Sequence, residues 1–155
     1  FAISSAVKVG VTTSTNIPTR WVDQGAVQAV PFAQTPNRYL AGKIEVELKK
    51  QFTDRTQWQK MLKNEVLQNA TFDEALQQAE ATLPSQFHEY ILANQPEWTG
   101  HYPVLKYPSK ITSFNPEKAE QIAGVLTGIK GQYLMFDASN VINIRKYAGY
   151  EVVIT

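Results

Sequence analysis

The chain reads as an α+β protein, and three observations carry that reading. Residues 1–35 hold short β-branched runs around one helix-forming segment. Residues 36–95 carry apolar side chains at helical spacing, and residues 100–155 switch to short extended runs parted by turn residues. The expected organisation is a small αβ unit over 1–60, a helical spacer over 61–99, and a β-rich unit over 100–155 packed on the first. The last of these is expected to be an antiparallel sheet or partial barrel.

In the first unit, strands are expected at 1–4, 8–12 and 27–33, with a helix at 19–25. Val7, Val9 and Val11 alternate with Lys8, Gly10 and Thr12, the period of a half-buried strand. Gly10 weakens such a strand and is best explained where something approaches the backbone closely. Pro18 suits a helix start, with Thr19 or Asn16 available to cap it. The strand end and helix together would bring Lys8, Thr12, Arg20 and Gln24 into an anion site. The alternative is a plain strand–turn–helix with Arg20 in a structural ion pair.

Pro36 opens a helix whose apolar residues are Tyr39, Leu40, Ile44, Leu48 and Phe52. The pattern repeats over 56–68 through Trp58, Met61, Leu62, Val66 and Leu67. Thr71-Phe72-Asp73-Glu74 has the form of a capping box opening a helix with Leu76, Ala79 and Leu83. A further helix is expected over 84–93. Beyond residue 100, strands are expected at 102–107, 110–114, 122–129, 132–136, 141–145 and 150–154. Asn115-Pro116-Glu117 suggests one capped helical turn, and Gly131, Asp137-Ala138-Ser139-Asn140 and Gly149 mark turns.

Composition bounds the setting. Hydrophobic residues are 43% and charged residues 19% of 155, too apolar for a disordered chain. No apolar run reaches the roughly 18–20 residues of a membrane-spanning helix. The opening Phe1-Ala2-Ile3-Ser4-Ser5 has no methionine or basic leader, so the chain is expected to be a piece of a longer one that starts within a strand. Cysteine is absent, which removes disulfides and Cys-based zinc sites from these residues. The net charge is +1, with basic ends and an acidic middle: residues 41–99 hold six basic and nine acidic side chains, and residues 100–155 six basic and four acidic.

Several chemistries have no motif. His88 and His101 stand thirteen apart without companion ligands. Glu45 and Glu47 are two apart and diverge on a helix. No glycine-rich phosphate loop is present, since Gly128-Ile129-Lys130-Gly131 joins strands and precedes no helix. Trp21 and Trp58 read as core.

Six blocks, in order and at compatible spacing, resemble a bacterial protein family of unknown function. They are Val7-Lys8-Val9-Gly10-Val11-Thr12, Pro18-Thr19-Arg20-Trp21-Val22-Asp23-Gln24-Gly25-Ala26, Trp58-Gln59-Lys60-Met61-Leu62-Lys63, Tyr102-Pro103-Val104-Leu105, Gly128-Ile129-Lys130-Gly131-Gln132-Tyr133-Leu134 and Val141-Ile142-Asn143-Ile144-Arg145-Lys146-Tyr147. Members of that family carry a cysteine-rich, zinc-binding segment before this region. The resemblance therefore implies the C-terminal part of a longer cytoplasmic protein, with any zinc in the preceding segment.

Residues 1–60 also resemble the GIY-YIG nuclease architecture. Lys8-Val9-Gly10 is similar to the Lys-Ile-Gly of its phage-type second strand, and Glu45, Leu48, Phe52, Arg55 and Trp58 fit its helix pattern. The resemblance implies Glu45 as ligand to Mg²⁺ or Mn²⁺ and Arg20 as the contact to the scissile phosphate. The family's first tyrosine motif is truncated here, with Phe1 near its tyrosine, and Lys8 occupies the second. Phenylalanine cannot move a proton, and lysine does so only with a strongly depressed pKa. Tyr39 is a possible substitute, but its spacing to Leu40 and Ile44 reads as core.

The expected function is therefore nucleic-acid-associated binding at a degenerate phosphate site, with Lys130, Arg145 and Lys146 of the β-rich unit adding contacts. The alternatives are a metal-dependent nuclease or phosphodiesterase using Arg20 and Glu45, and a protein-interaction module, which the near-neutral net charge favours. No membrane partner is expected, and the oligomeric state is left open.

Overall fold

Strand β1 (Ala2–Ile3) pairs antiparallel with β2 (Val7–Lys8) on one side and with β3 (Gln28–Ala29) on the other, and β4 (Trp98–Thr99) closes a four-stranded sheet of order β2-β1-β3-β4. The computed structural model describes residues 1–66 and 71–155, in two compact units, Phe1–His101 and Tyr102–Thr155. The protein is mixed α+β, as expected. Among the described residues no helix is long and apolar enough to cross a membrane.

Each strand of the first sheet is only two residues long, so the layers on its two faces must hold it. Directly opposed residues share a face, which puts Lys8, Ala2, Ala29 and Trp98 in one row across the sheet. Helix α1 (Thr19–Asp23) covers this row. Its Trp21 packs on Ala2, Ala26 and Ala29 and meets Trp98 at 5.6 Å between ring centroids. The opposite face carries Ile3 and Val30 against Phe72. Gly25, at φ +64°, ends α1 where a side chain would strike Met61.

The expected order strand, strand, helix, strand, helix is present, but the strands are shorter than the alternation suggested. The chain leaves the ladder after Lys8, where Val9 N–H donates to Thr53 O at 3.0 Å, so Gly10 to Thr12 are loop. Pro18 precedes α1, but neither Thr19 nor Asn16 caps it. Helix α2 (Arg38–Leu48) opens where Pro36 placed it, with the Asn37 side chain accepting from Leu40 N–H. Ile44 and Leu48 are buried, whereas Tyr39 is 68% exposed and is not core. One residue of helix turns it off the Leu40–Ile44–Leu48 stripe and towards Lys43, whose ammonium lies over its ring.

The helices expected as a spacer share the first unit's core. Helix α3 (Trp58–Leu62) is shorter than the 56–68 expected, turning at Asn64 with φ 57°; Leu67 and Gln68 of that expectation lie outside the described residues. Helix α4 (Phe72–Thr82) begins at Thr71 with Asp73 and Glu74 in its first turn, but the threonine side chain makes no capping bond. Residues 84–93 yield a 3-10 helix, Ser85–Tyr90, rather than an α-helix. Ala79, Leu83 and Phe87 pack with Val9, Phe32, Ile44 and Leu48 in one cluster.

The second unit is an open sheet, not a barrel. Strands β5 (Thr112–Ser113), β6 (Leu126–Lys130), β7 (Tyr133–Phe136) and β8 (Asn140–Asn143) lie in the order β5-β8-β7-β6. The β5–β8 pair is parallel, so the sheet is mixed rather than antiparallel throughout. Gly131 at φ 60°, and Asp137 and Ala138 at φ 50° and 51°, supply the positive φ that tight hairpin turns need. Residues 102–107 form only a bridge, at Val104 to Gly128, and 150–154 form no strand. The capped turn at 115–117 is present, with Asn115 Oδ1 accepting from Glu117 N–H.

Because Leu83 is 3% exposed within the cluster that packs α2 on Val9 and Phe32, Leu83→Ala is expected to cost about 2–5 kcal/mol. Urea denaturation followed at the tryptophans should show the loss. A cost below about 1 kcal/mol would mean that these helices are peripheral to the unit.

Candidate functional site

Lys8 is placed by sheet geometry in the row of Ala2, Ala29 and Trp98, and it is 2% exposed. Its ammonium donates to the Thr56 hydroxyl, which the Thr53–Thr56 segment carries alongside the end of β2. Burial, and after it repulsion from the Arg20 guanidinium, push the Lys8 pKa down to about 8. Among the described residues neither cation has a carboxylate in ion-pair range. Two like charges held together without a counter-charge raise the energy of the folded chain, and a bound anion lowers it. The structural ion pair considered for Arg20 is not formed among the described residues.

A second feature of the first unit is a cavity of about 490 Å³. Its wall takes in the loop from Gly10 to Ser14, the chain leading into α2, and the α2 face with Arg38, Ala41 and Glu45. Thr12 lies in this wall, and so do Trp21 and Val9, which follow Arg20 and Lys8 in the chain. Lys8, Arg20 and Gln24 do not line it. Gln24 ends α1, where its N–H donates to Trp21 O and Val22 O. Thus Arg20 is near enough to Lys8 to disfavour its charge, and Thr12 and Glu45 line one cavity, but the expected residues are not joined in one wall. Gly10 is not crowded by any close approach, since a Cβ there meets nothing within 4 Å.

Among the described residues Glu45 is the one carboxylate in the cavity wall, and Lys49 lies 3.4 Å from it. A hard dication takes six or more oxygen ligands and tolerates a neighbouring ammonium poorly, so this lone, lysine-paired carboxylate is a weak seat for Mg²⁺ or Mn²⁺. Arg55 of the nuclease-like pattern is exposed in the loop before α3.

In the second unit the three expected cations differ. Lys130 is 1% exposed, with its ammonium 5.5 Å from the Tyr102 ring centroid and 5.2 Å from that of Tyr107. Burial pushes its pKa down to about 8. It faces inwards from β6, with Gly128, while Ile129 points outwards. Arg145 and Lys146 are exposed on a 3-10 helix, Ile144–Tyr147, whose start is capped by Asn143.

Sequence reasoning missed Thr56 and Arg38. Thr56 had no signal, because its role depends on a contact across 48 residues. Arg38 did have one: it stands three before Ala41 and seven before Glu45, on one helical face.

The chain belongs to the family described as "Protein of unknown function (DUF2797)", which matches it over residues 1–152. No curated protein and no solved structure matches it significantly.

The depressed Lys8 pKa has a consequence for stability. Between pH 8 and 10.5 the unfolded chain holds more protons at this lysine than the folded one, so stability rises with pH across that window. The full contribution is about 3 kcal/mol. Lys8→Met should therefore be more stable than the parent at pH 7 by about 1–2 kcal/mol, after the cost of leaving Thr56 unpaired. That advantage should vanish towards pH 10.5. Urea titrations at pH 7, 9 and 10.5 measure it, and an advantage independent of pH would contradict a buried, charged Lys8.

Proposed function

We propose that this DUF2797 chain binds phosphate-bearing ligands, nucleic acid above all, through the Lys8–Arg20 cation pair. One observation carries the reading: a nearly fully buried lysine is kept beside a guanidinium, at a cost to folding, with no carboxylate among the described residues to neutralise either. Sites that hold such strain are drawn disproportionately from functional ones. The resemblance of residues 1–60 to GIY-YIG nucleases supports the same assignment, since it gives Arg20 the phosphate contact and puts Lys8 where the nucleases have a tyrosine. Thr12 and Gln24 are the hydrogen-bonding partners expected nearby. Arg145 and Lys146 supply further exposed positive charge, and Lys130 is left out because its ammonium faces the rings of Tyr102 and Tyr107.

A second reading, phosphodiester hydrolysis, is favoured by the lysine itself. At a pKa of about 8, roughly a tenth of Lys8 is neutral at pH 7 and able to accept a proton from water. Binding at the cation pair needs neither a metal nor Glu45. The setting proposed for either is the bacterial cytoplasm.

Fluorescence anisotropy with duplex and single-stranded probes tests the proposal. The Lys8–Arg20 pair predicts a log–log salt slope of about 2 on duplex, rising to about 4 if Arg145 and Lys146 also reach phosphate. Arg20→Ala and Lys8→Met should each lower the slope by about 1. No binding at tens of micromolar protein would leave the protein-interaction reading. Cleavage that rises with pH through 8 and disappears in Lys8→Met would establish the hydrolytic one.

A further inference from the structure

The cavity in the first unit carries a pattern that the cation pair does not use. Arg38, Ala41 and Glu45 occupy one face of α2 and form part of the cavity wall. Seven residues at 1.5 Å rise put Arg38 and Glu45 about 10 Å apart along the helix axis. Between them Ala41 has almost no side chain, which leaves the middle of this wall open. Opposite charges therefore mark the two ends of an open stretch, whose floor is formed by the buried Val9 and Phe32.

Arg38 makes no ion pair among the described residues. Glu45 shares Lys49 with Asp54, and Asp54 is the nearer partner, at 3.0 Å against 3.4 Å. Both charged ends are thus open to a further partner. The cavity, about 490 Å³, is within the range of small-molecule sites, which are apolar in the main with a few polar groups fixing orientation.

We propose that this cavity takes one nucleotide unit, with its phosphate at Arg38, an amino-bearing base towards Glu45, and the base faces on the apolar floor. A planar heterocycle has apolar faces and polar edges, which matches a floor of Val9 and Phe32 beneath a polar wall. Glu45 accepts a hydrogen bond and cannot donate one when ionised, so it favours bases with an exocyclic amine, such as cytosine, over uracil, whose single N–H lies between two carbonyl acceptors. The guanidinium matches a phosphate through its planar set of donors. The proposal deepens the phosphate-binding reading and rests on it for nucleic acid as the source. The place is separate, because neither Lys8 nor Arg20 lines the cavity. A free mononucleotide and an unstacked residue of a strand present the same chemistry.

Isothermal titration with CMP, UMP and inorganic phosphate, and with oligo(dC) and oligo(dT), provides the test. CMP is expected to bind about tenfold more tightly than UMP, and inorganic phosphate more weakly than both. Glu45→Gln should erase the preference for CMP while leaving the thermal unfolding profile in place. Ala41→Leu should weaken both mononucleotides by at least about tenfold by filling the open stretch. Gly10→Leu repeats that test from the opposite wall, where a Cβ meets no atom, should Ala41→Leu fail to fold. A preference shared by oligo(dC) would identify the strand as source, and one confined to CMP the free nucleotide. Equal binding of CMP and UMP, or unaltered CMP affinity in folded Ala41→Leu or Gly10→Leu, would overturn the proposal. If Arg20→Ala weakens oligonucleotide binding and the cavity variants do not, the cation-pair reading stands and this one fails. If CMP binding requires Glu45 while oligonucleotides ignore Lys8 and Arg20, the opposite holds.

Discussion

A sheet built from two-residue strands gains little from its own ladder, and the first unit is organised around that deficit. What holds β1 to β4 together is the packing above and below: Trp21 and Trp98 over three alanines on one face, and Ile3, Val30 and Phe72 on the other. The alanines are small because two indole rings must come down onto the sheet. Aromatic contact of this kind supplies about 0.5–1.5 kcal/mol beyond the area it buries. The same tight layer buries Lys8 at the end of its row. The hydroxyl of Thr56 is then what receives its ammonium, and the Thr53–Thr56 segment is pinned to β2 as a result.

That arrangement is the physical basis of the proposed site. An apolar side chain at position 8 would complete the layer with less desolvation cost, and the fold has no evident need of a charge there. Keeping a lysine beside Arg20 makes sense when something outside the chain completes the pair. The contrast with Lys130 is instructive. It is buried to the same degree, but two tyrosine rings face its ammonium, so its charge is met from within the protein.

The order of elements was legible in the sequence, because periodicity and turn residues act locally. Pro36 marked the start of α2, and Ile44 and Leu48 its buried stripe. Boundaries were less legible. The alternation of Val7, Val9 and Val11 continues past Lys8, but the partner strand does not, so pairing rather than propensity ended β2. Tyr39 read as core because it neighbours two core residues, while on a helix one step in sequence is a turn of 100°. The burial of Lys130 was hidden for a different reason: it depends on Tyr102 and Tyr107, which no local pattern links to β6. For the candidate site, the sequence grouped Lys8 with Thr12, Arg20 and Gln24, and only the cross-strand register brought the lysine under the α1 layer.

The first sheet also dictates an order of assembly. Its strands come from residues 2–3, 7–8, 28–29 and 98–99, so the edge strand joins β3 from some seventy positions further along the chain. Loop closure of that length must precede the contacts that reward it, and such topologies fold slowly. In the second unit β6, β7 and β8 are successive hairpins, and their pairing is local. On a ribosome, therefore, the sheet that bears Lys8 stays open at one edge until Trp98 has emerged. By then every helix between β3 and β4 has already been made and can receive the strand as it arrives.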